Sequence, residues 1–247
     1  MRTPRLVTIP FSHYCEKARW ALERGGVTFV EETHAPLFAW RGALGAGGKR
    51  TVPVLVTDDA VIAESSDVLR WVDAHGGPPE PFFPAELPEV ASLVETFDRR
   101  LGPATRRVGY FHVLRSDRSF VHDLLTTDVP AWEARAVRAL GPAIPLAIRY
   151  GLKVDDAGYR RSKKAIDEVF ASVNERLADG RRTLAGDAFT AADLTFAALA
   201  TPIVMPPAYA RRFGGLARLP AALTAIRDEA LATPAGAFAM RIYETER

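Results

Sequence analysis

Leu6-Val7-Thr8-Ile9 is a short apolar, β-branched run ended by Pro10, and it predicts a strand. Apolar Ala18, Ala21 and Leu22 then recur at helical spacing between Glu16 and Arg24, and Gly25-Gly26 stops that helix. Val27 to Glu32 reads as a second strand, making a β-α-β unit of about the minimum length that a parallel crossover needs. The Gly-rich stretch from Gly42 to Gly48 predicts a loop or an irregular helix. After it, Val52 to Val56 and Ala60 to Ala63 flank Asp58-Asp59 as the two strands of a hairpin. Ser65-Ser66 opens a helix whose apolar face is Val68, Leu69 and Val72 and whose end is Gly76-Gly77.

The pattern then changes. Gly76-Gly77-Pro78-Pro79-Glu80-Pro81, with Pro84 and Pro88, reads as a stiff linker, because proline fixes φ and cannot continue a helix. This divides the chain into an α/β domain at 1–77, a linker at 78–88 and a second domain at 89–247. The second domain is all-α by its patterning, with helices expected over Val90 to Leu114, Ala131 to Leu140, Arg161 to Leu177, Ala191 to Ala200 and Leu219 to Ala232. Gly141-Pro142-Ala143-Ile144-Pro145 is expected to interrupt one helix, and Pro202 with Met205-Pro206-Pro207 to break another.

Composition narrows the class. With 48% apolar residues over 247 positions the chain can bury substantial cores, so disorder is not the expectation. The net charge is only +2, so no global field draws it to nucleic acid, and Arg99-Arg100, Arg106-Arg107 and Arg160-Arg161 with Lys163-Lys164 read as solvated helix faces. No run approaches the roughly 20 apolar residues of a membrane span, and the first residues lead into a strand rather than a signal peptide. A soluble cytoplasmic protein, without a membrane or nucleic-acid partner, is the expectation. Cys15 is the one cysteine, which excludes an internal disulfide and a Cys-rich zinc site, and the five histidines lack metal-ligand spacing, so no metal is expected.

Three local features carry chemistry. Ser12-His13-Tyr14-Cys15 lies where the first strand gives way to the first helix, in the form of a Cys-x-x-Cys redox turn with serine in the first place. A helix N-terminus stabilises an anion, and a Ser12 hydroxyl can donate to a bound sulfur; Ser12 is equally a good helix cap, and the two roles are compatible. Val52-Pro53 opens a strand that should be interior, where proline cannot donate to a ladder, so a cis bond is the natural candidate, with the Val52 N–H and C=O open to a peptide-like ligand. Glu64-Ser65 at the start of the next helix can take an amino-acid head group, Ser65 and nearby N–H groups holding the carboxylate and Glu64 the ammonium. A plain helix cap is the other reading.

Together these motifs resemble the glutathione transferase superfamily, particularly its serine-type and bacterial members, over essentially the whole chain. The resemblance implies a thioredoxin-like N-terminal domain, an all-helical C-terminal domain, and glutathione as co-substrate. By position it implies Ser12 on the glutathione sulfur, Val52 beside cis-Pro53 on the cysteinyl backbone, and Glu64 and Ser65 on the γ-glutamyl end. Arg50, with Lys49 as neighbouring candidate, would reach the glycine carboxylate. Leu184 to Leu194 resembles the family's core helix start, with Thr190 and Asp193 as a capping box and Asp193 structural rather than catalytic.

The implied reaction is attack of the glutathione thiolate on a hydrophobic electrophile, in a homodimer. His13 replaces the proline of many bacterial relatives; it can assist as a base, and a solvent-facing position is expected. Cys15 is expected to be a packing residue. His13, Tyr110, Phe111 and Tyr209 are candidates for the second-substrate pocket, core or dimer contacts being their other reading. Two further readings are a non-enzymatic binding protein on the same fold and a glutathione-dependent reductase or lyase using Cys15.

Overall fold

The computed structural model describes residues 2–247. Strand β1 (Arg5–Thr8) is followed by helix α1 (His13–Arg24), capped by Ser12 as the sequence suggests: the Ser12 backbone is extended and its Oγ accepts the Cys15 N–H. At the far end of α1, a Cβ on Gly25 would lie 2.3 Å from Val72 Cγ1, so glycine there lets the helix end close on its neighbour. Strand β2 (Val30–Thr33) starts later than the expected Val27. The Val27 N–H is taken by the Leu22 carbonyl at the end of α1, and the ladder begins only where Val30 lies opposite Arg5.

Helix α2 (Ala39–Gly45) turns the Gly-rich stretch into a short helix, and β3 (Val54–Val56) and β4 (Val61–Ile62) form the hairpin, closed by Thr57, whose Oγ1 accepts the Ala60 N–H. Helix α3 (Ser65–His75) packs on α1. The sheet order is β2-β1-β3-β4, with β1 and β2 parallel and the other pairs antiparallel. Leu6, Val7, Val54 and Leu55 of the sheet, Ala18 and Leu22 of α1, and Val68, Leu69 and Val72 of α3 are among the buried apolar side chains of this portion. This is the α/β thioredoxin-like arrangement, and no strand succeeds it among the described residues.

The later helices are α4 (Glu89–Thr96), α5 (Gly102–Val113), α6 (Arg118–Thr126), α7 (Ala131–Leu140), α8 (Ala143–Gly151), α9 (Asp156–Leu177), α10 (Ala191–Val204), α11 (Pro207–Ala210), α12 (Ala221–Leu231) and α13 (Pro234–Glu246). Between α4 and α5 the single helix expected over Val90 to Leu114 contains a π turn, Phe97–Leu101. Pro103 stands just beyond it, and the wider turn relieves the clash its ring makes with the carbonyl one turn back.

By compactness the chain forms two units: one holds the residues up to Pro79 together with Arg118–Ile144, the other Glu80–Asp117 with Pro145–Arg247. In the first unit α6 and α7 pack together, and Glu133 at the start of α7 is fully buried. It accepts the Ala35 N–H at 2.7 Å and pairs with His34 Nδ1, while Phe38 meets the Trp132 ring edge-on at 5.3 Å.

The second unit is built around α10, every residue of which is buried, with α5, α12, α13 and α4 packed about it. Asp193 accepts the Thr190 N–H at 2.8 Å and the Leu184 N–H at 2.7 Å, completing a capping box. Pro202 does not break this helix, contrary to expectation. The Ala198 carbonyl, which a proline one turn on cannot serve, accepts the Thr201 hydroxyl at 2.8 Å instead, and the helix runs to Val204 before Met205 turns left-handed.

Candidate functional site

Sheet register gathers the sequence-predicted site residues. Val7 pairs with Val54, so the C-terminal end of β1, which leads to Ser12, lies beside the N-terminal end of β3, just after Val52-Pro53. Leu55 pairs with Ile62, so the end of β4, which leads to Glu64-Ser65, lies at that same edge. The chain from β2 back to β3, carrying Lys49 and Arg50, passes there too, because β2 runs parallel to β1. Loops at one end of a sheet are where a rigid scaffold presents ligand-binding groups.

Ser12 is partly exposed at the cap of α1. Its Oγ accepts the Cys15 N–H at 3.4 Å, which leaves its O–H able to donate. Cys15 is fully buried, and burial raises its thiol pKa, opposed by the Arg19 charge and by hydrogen bonds from the Ser12 side chain and the backbone at Ile9. A thiol so enclosed packs rather than attacks. His13 corrects the expectation of a solvent-facing side chain. It is only 3% exposed, because the first residue of α1 is turned into the unit, with its ring 4.6 Å from that of Tyr14.

The Val52-Pro53 bond is cis. Among the described residues none pairs its backbone with the Val52 N–H or C=O. Ser65, the first residue of α3, is buried, and no side chain caps that helix. The helix therefore presents backbone N–H groups and the positive end of its dipole at the edge where the other residues gather. Glu64 is exposed and pairs with Lys49 Nζ at 3.1 Å, while the Arg50 guanidinium sits 5.9 Å from the centroid of the exposed Trp40 ring. Lys49 and Arg50 thus divide their roles: one neutralises Glu64 and the other stacks.

Of the second-substrate candidates, His13 belongs to the first unit and the other three to the second. Phe111 on α5 stacks on Tyr159 at 4.3 Å beneath the Arg115 guanidinium, and burial pushes the neighbouring Tyr110 phenol up to about 12, so it stays protonated. Tyr209 is buried against Phe213. Sequence reasoning missed two residues that support the site. Lys17, fully buried, donates to Ser66 Oγ at 2.7 Å and so ties α1 to the start of α3, and Arg19 grips the turn before Ser12. Charged residues in an otherwise amphipathic segment read as its wet face, so nothing in the pattern marked them.

Residues 6–80 match the family described as Glutathione S-transferase, N-terminal domain. Among solved structures the fold is similar to that of poplar glutathione transferase F1, at 17% identity over 99% of each chain and a TM-score of 0.56. The β-etherase LigF from Sphingobium sp. strain SYK-6 superposes with a TM-score of 0.60 at 16% identity, over 97% of this chain and 99% of that one. A glutathione S-transferase from Methylobacterium radiotolerans, in complex with glutathione sulfonate, is 19% identical over 96% and 94% of the two chains, with a TM-score of 0.55. No curated protein matches the chain in sequence.

Proposed function

We propose, for a chain whose residues 6–80 match the glutathione S-transferase N-terminal domain family, that it is a glutathione transferase acting on a hydrophobic electrophile. The observation that carries this is the convergence of Ser12, Val52-Pro53 and Glu64-Ser65 at one edge of one sheet, each where its chemistry suits one part of the tripeptide. The γ-glutamyl carboxylate would lie at the N-terminus of α3, held by Ser65 and the backbone N–H groups there, with Glu64 facing the ammonium. The cysteinyl backbone would pair with the free N–H and C=O of Val52 in the manner of an added strand.

With the γ-glutamyl end and the cysteinyl backbone held, the sulfur would fall at the start of α1. There the thiol loses its proton to solvent, and the Ser12 O–H donates to the thiolate that remains, assisted by the helix dipole; a hydrogen bond to a charged acceptor contributes about 1.5–3 kcal/mol. The thiolate attacks an electrophilic carbon, forming a C–S bond. In a displacement the leaving group departs with its electron pair; in an addition the adjacent atom takes a proton. Proximity of two bound reactants and stabilisation of the thiolate supply the acceleration.

The test is calorimetric titration with reduced glutathione, beside Ser65→Ala and Ser12→Ala. Saturable binding that Ser65→Ala weakens about tenfold, with Ser12→Ala retaining binding but losing about 100-fold in turnover of an electrophile panel, is expected. A protein that takes up no glutathione at millimolar concentration would sink the proposal.

A further inference from the structure

Burying an ionised side chain is costly unless it is paired and its donors are satisfied. Arg19 on α1, only 2% exposed, meets that condition in an unusual way. Its Nε donates to Glu31 Oε1 at 2.6 Å and its Nη1 to Glu16 Oε2 at 3.0 Å. Its Nη2 donates to two consecutive backbone carbonyls, Ile9 at 3.2 Å and Pro10 at 3.0 Å. Those carbonyls belong to the turn between β1 and α1. The Ile9 oxygen also accepts the Ser12 N–H at 3.0 Å, so one atom joins the guanidinium to the backbone of Ser12. Glu31 is itself fixed, since the Thr8 hydroxyl donates to the oxygen that Arg19 uses.

We infer that Arg19 is a positioning residue for the Ser12 hydroxyl. The two acidic partners set the plane of the guanidinium, and the plane sets the turn. This rests on the reading of Ser12 as the donor to the glutathione sulfur. The role needs arginine: a planar fork can reach two carbonyls and two carboxylates from one centre, whereas a lysine ammonium is a compact charge with three donors. The turn has no ladder of its own to hold it, because β1 ends at Thr8. With the fork removed, the Ser12 backbone keeps its sequence but loses the anchor of the carbonyl it hangs on, and a hydrogen bond weakens steeply with misdirection.

The test uses Arg19→Lys, which keeps the charge that Glu16 and Glu31 require. Wild type and variant are compared in amide hydrogen exchange at Ser12 without ligand, the glutathione dissociation constant by calorimetry, the pH titration of the bound thiol by its thiolate absorbance, and kcat and KM. The expected result is faster exchange at Ser12, a dissociation constant changed by less than about threefold, a bound thiol that titrates at higher pH, and a kcat at neutral pH lower by about tenfold. A purely structural role would move stability and leave the thiol titration in place. A folded Arg19→Lys whose bound thiol titrates as in wild type with unchanged kcat overturns the inference. Should that variant not fold, Glu31→Gln keeps an acceptor for Nε while removing the charge, and the same shifts, smaller, are expected; an unmoved titration there is equally fatal. A wild type that binds no glutathione overturns the reading of the site and this inference with it, before any variant is made. A wild type that binds and ionises glutathione, with both variants equal to it, overturns the inference alone.

Discussion

At Cys15 two chemistries compete for one turn. The thiol sits one turn into α1 beside the Ser12 hydroxyl, and burial raises its pKa although the Arg19 charge and two hydrogen bonds act the other way. Reactivity requires a thiolate and access, and Cys15, fully buried, lacks the second. A disulfide reagent is therefore expected to react with the native protein at least about 100-fold more slowly than with the unfolded chain, since local opening must come first. Cys15→Ala should keep glutathione-dependent turnover and lose on the order of 1 kcal/mol of stability. Rapid labelling of the native protein, or loss of turnover in Cys15→Ala with Ser12→Ala still active, would transfer the chemistry to the cysteine.

At the scale of one element, α10 shows how a short motif anchors a core. Its start is buried, so backbone N–H groups there cannot turn to water: Asp193 accepts those of Thr190 at the cap and Leu184 in the preceding loop, and Thr190 Oγ1 accepts that of Ala192. Burial pushes the Asp193 carboxyl up to about 6, opposed by those same hydrogen bonds. Because the folded pKa lies above the ordinary 3.8, the folded chain keeps a proton that the unfolded chain has lost between those values, so this group's contribution falls as pH rises through that window. Asp193→Ala strands two buried donors and is expected to cost about 2–4 kcal/mol in denaturant unfolding. A loss below about 1 kcal/mol would show that water reaches the helix start.

At the scale of the whole molecule, the first compact unit takes α6 and α7 from far along the chain, and His34 is part of what holds them. It lies 2.8 Å from Glu32 on one ring nitrogen and against the buried Glu133 on the other. Burial alone would lower the His34 pKa, but the hydrogen bonds and charges of Glu133 and Glu32 overcome it and raise the value above 6.5. The charged pair therefore stabilises the fold fully below 6.5 and is lost as pH rises through the folded pKa. Burial alone would raise the Glu32 carboxyl, but His34 and Arg5 hold it below its ordinary 4.5, so it sets the acid limit, its contribution vanishing as pH falls through its folded value. Melting temperature should accordingly fall on the alkaline side in wild type and lose most of that dependence in His34→Gln. Equal alkaline slopes in the two proteins would remove His34 from the account.

The sequence by itself determined the element order of the α/β portion, the helical character of the remainder, and the three motifs of the proposed site. Each is a local matter: strand alternation, helix caps, a proline at a strand start and glycines at helix ends act within a few residues, and such constraints are legible in order along the chain. The later helices are legible where apolar spacing is regular; α6, α8, α11 and α13 are not, and Pro202 misleads because its remedy, the Thr201 hydroxyl on the Ala198 carbonyl, is a geometric detail. Only the tertiary structure decided that Arg19 and Lys17 are buried, that His13 is turned inward, and that Glu133 meets His34 across 99 positions of sequence. These rest on charge satisfaction between distant segments, and an ionised side chain carries no mark of whether its partner will be water or another part of the chain.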